Sequence, residues 1–151
     1  MLYLDTSLLV SLYCPDANSL AAVELLRKAD APLLITNLCE IEATNALGLR
    51  LFRKEITPAQ AELSRKNFEL DLHGGVYQYR TIPEAAYSRA RTLSLEWTPR
   101  LGTRTADLLH LAAALVLRAT AFYSFDAQQL RTAEAVGLAT PALPAAKRSR
   151  K

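Results

Sequence analysis

The sequence is poor in the residues that would indicate secretion or a structural zinc site. It holds two cysteines, Cys14 and Cys39, and these form neither a CxxC pair nor a zinc-ligand spacing. Two isolated thiols are typical of a reducing compartment, where disulfides do not form. The N-terminus lacks a basic segment, and Asp5 interrupts its apolar run. We therefore expect no signal peptide and a cytoplasmic location.

Long hydrophobic runs and glycine-rich loops are also lacking. The longest apolar stretch, residues 108–123, contains His110 and Arg118, which argues against a membrane span. The sequence has no glycine-rich phosphate loop, which disfavours an NTPase, and no Ser-His-Asp order that would suggest a hydrolase triad. No repeat period is found. A chain of 151 residues with ordinary composition is predicted to be one globular domain.

The excess of positive charge lies at the C-terminus. The net charge is +3, from 18 basic and 15 acidic residues, and four of the basic residues fall within residues 147–151. The 14 remaining basic residues leave the body of the chain near neutrality. We therefore expect residues 1–143 to form the domain and residues 144–151 to form a basic, disordered tail.

Short apolar segments alternate with helical patterns along the chain. Strands are predicted at residues 2–4, 32–36, 76–82 and 121–125, and residues 138–143 are a candidate for a short last strand. Helical patterns separate these segments, and Thr57-Pro58 has the sequence of a helix start. Apolar strands that alternate with helices predict an α/β fold with a mainly parallel sheet.

Two predicted helices carry apolar residues at helical spacing, which predicts the faces that they bury. In the helix over residues 19–28, these are Leu20, Val23 and Leu26. In the helix that begins near Asn37, the stripe is Leu38, Ile41, Asn45, Leu49 and Phe52. Asn37 stands three residues before Glu40, and this spacing predicts a capping box at the start of the second helix.

Four acidic residues map to one edge of the predicted sheet. Asp5 and Asp126 each follow a strand. Glu42 lies in the first turns of the helix after the second strand, and Asp107 begins the helix that leads into the fourth. Taken singly, each is explained as a turn, cap or solvated residue. Because ligands bind beyond the carboxyl ends of parallel strands, we expect the four to converge there.

Converging carboxylates imply a cation, because four of them cannot stay ionised side by side without one. An all-oxygen ligand set favours Mg²⁺ or Mn²⁺ over Zn²⁺. Such ions act on phosphates by activating water and by stabilising developing charge. The residues therefore predict metal-assisted hydrolysis of phosphodiesters.

Four stretches within residues 3–138 carry a family resemblance. They are "YLDTSLLVSLY", "ITNLCEIEATNAL", "RTADLLHLAAAL" and "FYSFDAQQLRTAEAVGL". In this order and at these spacings they resemble the PIN domain, and most closely the VapC toxins of toxin–antitoxin pairs. The resemblance implies a three-layer α/β/α fold with a sheet of four or five strands. It also implies a Mg²⁺- or Mn²⁺-dependent endoribonuclease toxin with RNA as substrate, a homodimer, and a cognate antitoxin protein as partner.

The resemblance also assigns roles to residues. By motif position the catalytic quartet would be Asp5, Glu42, Asp107 and Asp126. Asp5 and Asp107 are expected to bind the metal directly. Glu42 and Asp126 are expected to bind it directly, through water, or at a second site. Glu40 is the rival of Glu42, but the motif position selects Glu42.

Four further residues are expected to support the site. Ser124 would hold a water or a phosphate oxygen, or bond to the backbone. Thr6 is expected to cap the first helix rather than to catalyse. For His110 we favour a packing hydrogen bond over a role as general acid. Arg104 is the best candidate for a contact with RNA because it lies just before the third acid.

Two other functions remain open at this point. One is a PIN-like RNA-binding or regulatory module without turnover, and the presence of all four acids counts against it. The other is a Mg²⁺-dependent phosphatase on a similar sheet. Those enzymes usually carry a second Asp two residues after the first, and here Ser7 occupies that place.

Overall fold

The computed structural model describes residues 1–142, so the predicted tail at 144–151 lies outside the described residues. Within residues 1–142 the chain forms four strands and seven helices. The strands are β1 (Leu2–Leu4), β2 (Leu33–Thr36), β3 (Gln78–Arg80) and β4 (Ala121–Tyr123). The helices are α1 (Thr6–Tyr13), α2 (Ser19–Lys28), α3 (Asn37–Phe52), α4 (Pro58–His73), α5 (Glu84–Leu101), α6 (Thr105–Val116) and α7 (Ala127–Ala135).

All four strands run parallel, in the order β3-β2-β1-β4. In the register, Leu2 is paired with Leu33 on one side and with Ala121 on the other. Helices flank the sheet in the predicted three-layer arrangement, so the α/β prediction is confirmed. The candidate last strand is a single bridge between Ala121 and Ala139 in the part of residues 138–143 that is described.

The sheet forms the centre of the core. Tyr3, Leu4, Leu34 and Phe122 are completely buried, and the Tyr3 and Phe122 rings stack with centroids 5.4 Å apart. Because β1 and β4 are neighbours with their carboxyl ends at one edge, the residues that follow them are brought together there. The buried sheet therefore fixes the positions of the acidic residues that follow its strands.

Most of the apolar residues predicted to form the buried faces of α2 and α3 are exposed, although Leu26 is partly buried against the core. On α2 the side chains of Leu20 and Val23 are exposed, while Ala21, Ala22 and Leu25 are buried. On α3 the exposed residues include Ile41, Leu49 and Phe52, the last with 83% of its surface exposed, and the buried residues are Cys39, Ala43 and Leu47. Small residues share each buried face with a single leucine, Leu25 on α2 and Leu47 on α3, and a pattern of large apolar residues does not identify such a face.

The capping box predicted from Asn37 and Glu40 is also wrong. Thr36 is the N-cap of α3, and its N–H donates to Cys39 Sγ at 3.4 Å. The Asn37 Oδ1 instead accepts from the Ile82 N–H at 2.9 Å, and the Glu40 carboxylate accepts from the Tyr79 hydroxyl at 2.6 Å. Both side chains therefore tie α3 to β3 and the loop after it.

Other helix boundaries follow the sequence more closely. Thr57 caps α4, with Pro58 as its first residue, as predicted. Helix α5 continues through Pro99 to Leu101, and its C-cap is Gly102, which has a φ of 65°. In residues 1–142 we find no helix with the length and apolarity that a membrane crossing requires.

Candidate metal and active site

One cavity at the carboxyl edge of the sheet is lined by all four acids that the sequence singles out. These are Asp5, Glu42, Asp107 and Asp126. Asp5 follows β1 and its N–H donates to the Tyr123 carbonyl at 2.9 Å, which fixes it beside the end of β4. Asp126 follows β4 and caps α7. The fold therefore gathers groups that are up to 121 residues apart in the chain.

Asp5 is a buried carboxylate whose two oxygens have different partners: Oδ2 accepts three hydrogen bonds, and Oδ1 is left for a ligand. It is the N-cap of α1, the position predicted for Thr6. Its Oδ2 accepts from Ser7 N, Ser7 Oγ and Ser124 Oγ at 3.2, 2.8 and 2.9 Å. Its Oδ1 lies 3.8 Å from His110 Nε2, on the side of the site. These donors hold the carboxylate so that Oδ1 is presented to a ligand.

Ser124 joins two of the acids. Its hydroxyl donates to Asp5 Oδ2 and accepts from the Asp126 N–H, both at 2.9 Å. The Ser124 hydroxyl also lies 2.9 Å from Gln129 Oε1, and Gln129 is a buried cavity residue that the sequence analysis missed. Of the roles expected for Ser124, the structure shows the bond to the backbone, which is made with the Asp126 N–H. The hydroxyl also contacts the side chains of Asp5 and Gln129.

Glu42 is held by two donors from other elements. Its Oε2 accepts from Thr6 Oγ1 at 2.5 Å and from His110 Nε2 at 2.7 Å. Thr6 is thus the first residue of α1 and a partner of Glu42, so its predicted capping role is wrong. Burial alone would raise the pKa of Glu42, but the hydrogen bond and charge of His110 outweigh it and lower that pKa. The carboxylate is therefore kept ionised.

His110 lies at the bottom of the site and connects it to the core. Its Nδ1 is 2.9 Å from the Tyr3 hydroxyl, which in turn lies 3.1 Å from Thr36 Oγ1. Its Nε2 must carry a proton, because the Glu42 carboxylate can only accept. Burial opposes the charged imidazolium, but the hydrogen bonds to Cys39 and Glu42 and the charge of Asp5 raise the pKa of His110 to about 10. The favoured packing hydrogen bond is thus a link between Glu42 and the buried Tyr3.

The donor set is suited to a hard divalent cation. Asp5, Glu42 and His110 each present one atom, and these atoms lie within 4.8 Å of one another. Since His110 Nε2 donates its proton to Glu42, the carboxylates are the atoms left for a metal. Carboxylate oxygens fit Mg²⁺ or Mn²⁺ better than Zn²⁺.

Arg104 pairs with the other two acids. Its Nε donates to Asp107 Oδ2 at 2.8 Å and its Nη2 to Asp107 Oδ1 at 3.2 Å. The same Nη2 donates to Asp126 Oδ2 at 2.8 Å. The remaining Asp126 oxygen, Oδ1, accepts from the Gln128 and Gln129 N–H groups at the start of α7. One guanidinium therefore neutralises charge on two carboxylates of the cavity.

The comparisons with known proteins agree with this geometry. A family model described as the PIN domain matches residues 2–135. The chain belongs to the PIN domain family. Comparison with curated proteins gave no match.

Solved structures share the fold of this PIN domain. One is VapC20 of Mycobacterium tuberculosis, a toxin that cleaves the sarcin-ricin loop. It is 16% identical, the alignment covers 95% of this chain and 100% of that one, and the TM-score is 0.72. Another is FitAcB from Neisseria gonorrhoeae, at 14% identity, with 93% and 96% of the two chains covered and a TM-score of 0.70. This PIN domain therefore resembles a VapC ribonuclease toxin in fold.

The choice between the two glutamates is open to a direct test. Glu40 contacts Tyr79 and lines a separate depression with Asn37 and Ile41, away from the acids. We expect Glu40→Gln to lower the free energy of unfolding by about 1 kcal/mol, since it weakens a charged hydrogen bond, and to leave the RNA cleavage that we propose below nearly unchanged. Glu42→Gln should lower cleavage more than about tenfold, the scale seen for groups next to a metal. Denaturation curves and cleavage rates of both variants measure this, and the opposite pattern would show that Glu40 is the active-site acid.

Proposed function

We propose that this PIN domain is a Mg²⁺- or Mn²⁺-dependent endoribonuclease and the toxin of a toxin–antitoxin pair. The single observation that carries the proposal is that four carboxylates line one cavity at the carboxyl edge of a parallel sheet. The activity of VapC20, which has this fold, supports RNA as the substrate.

A divalent ion bound at these oxygens would neutralise phosphate charge and lower the pKa of a water. The residues of the chain hold the metal-binding carboxylates in position. Ser7 and Ser124 fix the Asp5 carboxylate, and Thr6 and His110 fix that of Glu42. Asp107 and Asp126 complete the negative cavity and are proposed to bind metal or a water attached to it. Carboxylates held this firmly need little reorganisation when charge develops on the phosphate.

Competing enzymatic functions find less support in these contacts. In a Mg²⁺-dependent phosphatase on a similar sheet, the residue two positions after Asp5 would be a second carboxylate. Here Ser7 donates its hydroxyl to Asp5 Oδ2 and also accepts from the Phe125 N–H at 2.9 Å. Ser7 thus holds the first acid in place, and that position carries no carboxylic acid that could protonate a leaving group.

The test of activity is incubation of the purified chain with total RNA and Mg²⁺ or Mn²⁺, followed by mapping of the cut ends. We expect discrete cleavage sites that vanish when EDTA replaces the metal. RNA that stays intact at every metal tested would overturn the ribonuclease proposal. Cleavage that persists in EDTA would overturn its metal dependence.

The proposed homodimer and antitoxin are supported by family membership and by the large apolar side chains that α2 and α3 expose. Leu20 and Ile41 are each 64% exposed, and Phe52 more so. Where such side chains form a contiguous patch, they are typical of protein interfaces. Light scattering after gel filtration should give twice the chain mass of 16.6 kDa. A mass of one chain at micromolar concentration would contradict the dimer.

A further inference from the structure

The two carboxylates paired with Arg104 have few oxygens left for a metal. Both oxygens of Asp107 accept from the Arg104 guanidinium. At Asp126, Oδ2 accepts from Arg104, and Oδ1 is committed to the N-cap of α7. A divalent cation that binds either carboxylate through these oxygens must therefore displace Arg104 or share an oxygen with it.

The Arg104 guanidinium is exposed and can move away from the two carboxylates. The Arg104 side chain is 71% exposed, whereas the Asp107 side chain is only 10% exposed. Arg104 is the N-cap residue of α6, and its side chain makes no capping hydrogen bond there. A positive charge is also disfavoured by the dipole at a helix N-terminus. The carboxylates are thus what holds Arg104 in place, and because the guanidinium itself is exposed, water and salt screen these ion pairs.

We propose that Arg104 is an exchangeable counter-ion of the metal site, which competes with the divalent cation for Asp107 and Asp126. The inference rests on the proposed function, because it assumes that these acids bind metal. Arg104 keeps the acids from repelling one another before the cation arrives, and it sets the cation concentration at which the site fills. This role differs from the RNA contact that the sequence suggests for Arg104, because it acts on metal affinity without RNA.

The test is the affinity of the RNA-free protein for Mn²⁺, measured by the loss of the free-ion electron paramagnetic resonance signal. Arg104→Gln is expected to bind Mn²⁺ about threefold to tenfold more tightly than the unchanged chain, because the substitution removes one screened cation that competes for both carboxylates. Arg104→Lys, a point charge without the planar fork, should fall between them. Arg100→Gln is the matched control, since Arg100 lies over the Trp97 ring, 5.5 Å from its centroid.

A second measurement follows the displacement itself. In the unchanged chain, the Arg104 Nε–H signal in a nitrogen-15 correlation spectrum should shift during a Mg²⁺ titration, while that of Arg100 stays in place. A fixed Arg104 signal at saturating Mg²⁺, or an Mn²⁺ affinity of Arg104→Gln equal to or weaker than that of the unchanged chain, overturns the inference. If both proteins still cleave RNA, only the inference fails. If neither protein binds Mn²⁺, the proposed metal-dependent function fails as well.

Discussion

Asp5→Asn is expected to reduce RNA cleavage at least about 100-fold, since even residues outside the ligand shell of a metal change activity 10- to 100-fold. The substitution removes the negative charge and replaces one carboxylate oxygen by an amide. The remaining oxygen can still accept from Ser7 N and Ser7 Oγ, as Asp5 Oδ2 does now. Asparagine is also a good N-cap, so α1 should keep its start and the fold should survive.

Growth arrest on expression should vanish with the cleavage activity. The comparison with Asp5→Ala separates charge from structure, because alanine also removes the N-cap and the acceptor for Ser124. We expect Asp5→Ala to lower the free energy of unfolding by about 1–2 kcal/mol and Asp5→Asn to lower it less. Asp30→Asn, the same change at an exposed residue, is the control. Full activity in Asp5→Asn would refute the metal role of Asp5.

The position of the acids could be predicted because it follows from backbone geometry. Asp5 and Asp126 end neighbouring parallel strands, and any such pair meets at one sheet edge. Glu42 and Asp107 were placed by their distance from strand ends and by their motifs. Convergence of the four in one cavity therefore required only the order of the elements and the direction of the strands.

The hydrogen-bond partners of the acids could not be predicted in the same way. The contact between Tyr3 and His110 joins residues 107 positions apart, and the contact between Thr6 and Glu42 depends on how α1 packs on α3. Both depend on side-chain packing, which local sequence does not encode. Arg104 was predicted near Asp107 from its spacing, but its bridge to Asp126 depends on the relative placement of α6 and α7.

The buried faces of α2 and α3 show a related limit. Size and hydropathy identify Leu20 or Ile41 as core residues, yet the buried faces combine alanines and a cysteine with one leucine on each helix. A helix that packs through small residues leaves its larger apolar residues for solvent or for another chain. From sequence alone, a core face and an interface face look the same, and only the packed structure distinguishes them.

The free energy of unfolding of the metal-free protein is expected to fall as the pH rises from about 6.5 to about 10. The cause is His110, whose pKa is raised from 6.5 to about 10 in the folded chain. A group with a raised folded pKa contributes stability that is complete below its unfolded pKa and is lost as the pH passes its folded pKa. Each pH unit within this window should cost up to about 1.4 kcal/mol, so the whole effect amounts to a few kcal/mol.

The contribution of Glu42 to stability is lost at the acidic end of the pH range instead. Its pKa is lowered from 4.5, so its contribution is present above that value and is lost as the pH falls through the lowered pKa. The pair of Glu42 and His110 should therefore stabilise the fold most between about pH 4.5 and 6.5. Denaturant titrations in EDTA, from below pH 4.5 to about pH 10, measure how the free energy of unfolding depends on pH without interference from bound metal.

His110→Gln is the matched variant, because its amide can donate to Glu42 from near the Nε2 position but does not titrate. The difference in unfolding free energy between the unchanged chain and His110→Gln should shrink steadily from pH 6.5 to pH 10. The nitrogen-15 shifts of the imidazole report its charge directly in the folded chain. Parallel stability profiles and a neutral imidazole at pH 7 would show that Glu42 is held by a neutral donor, and the cationic link from the acids to Tyr3 would then be wrong.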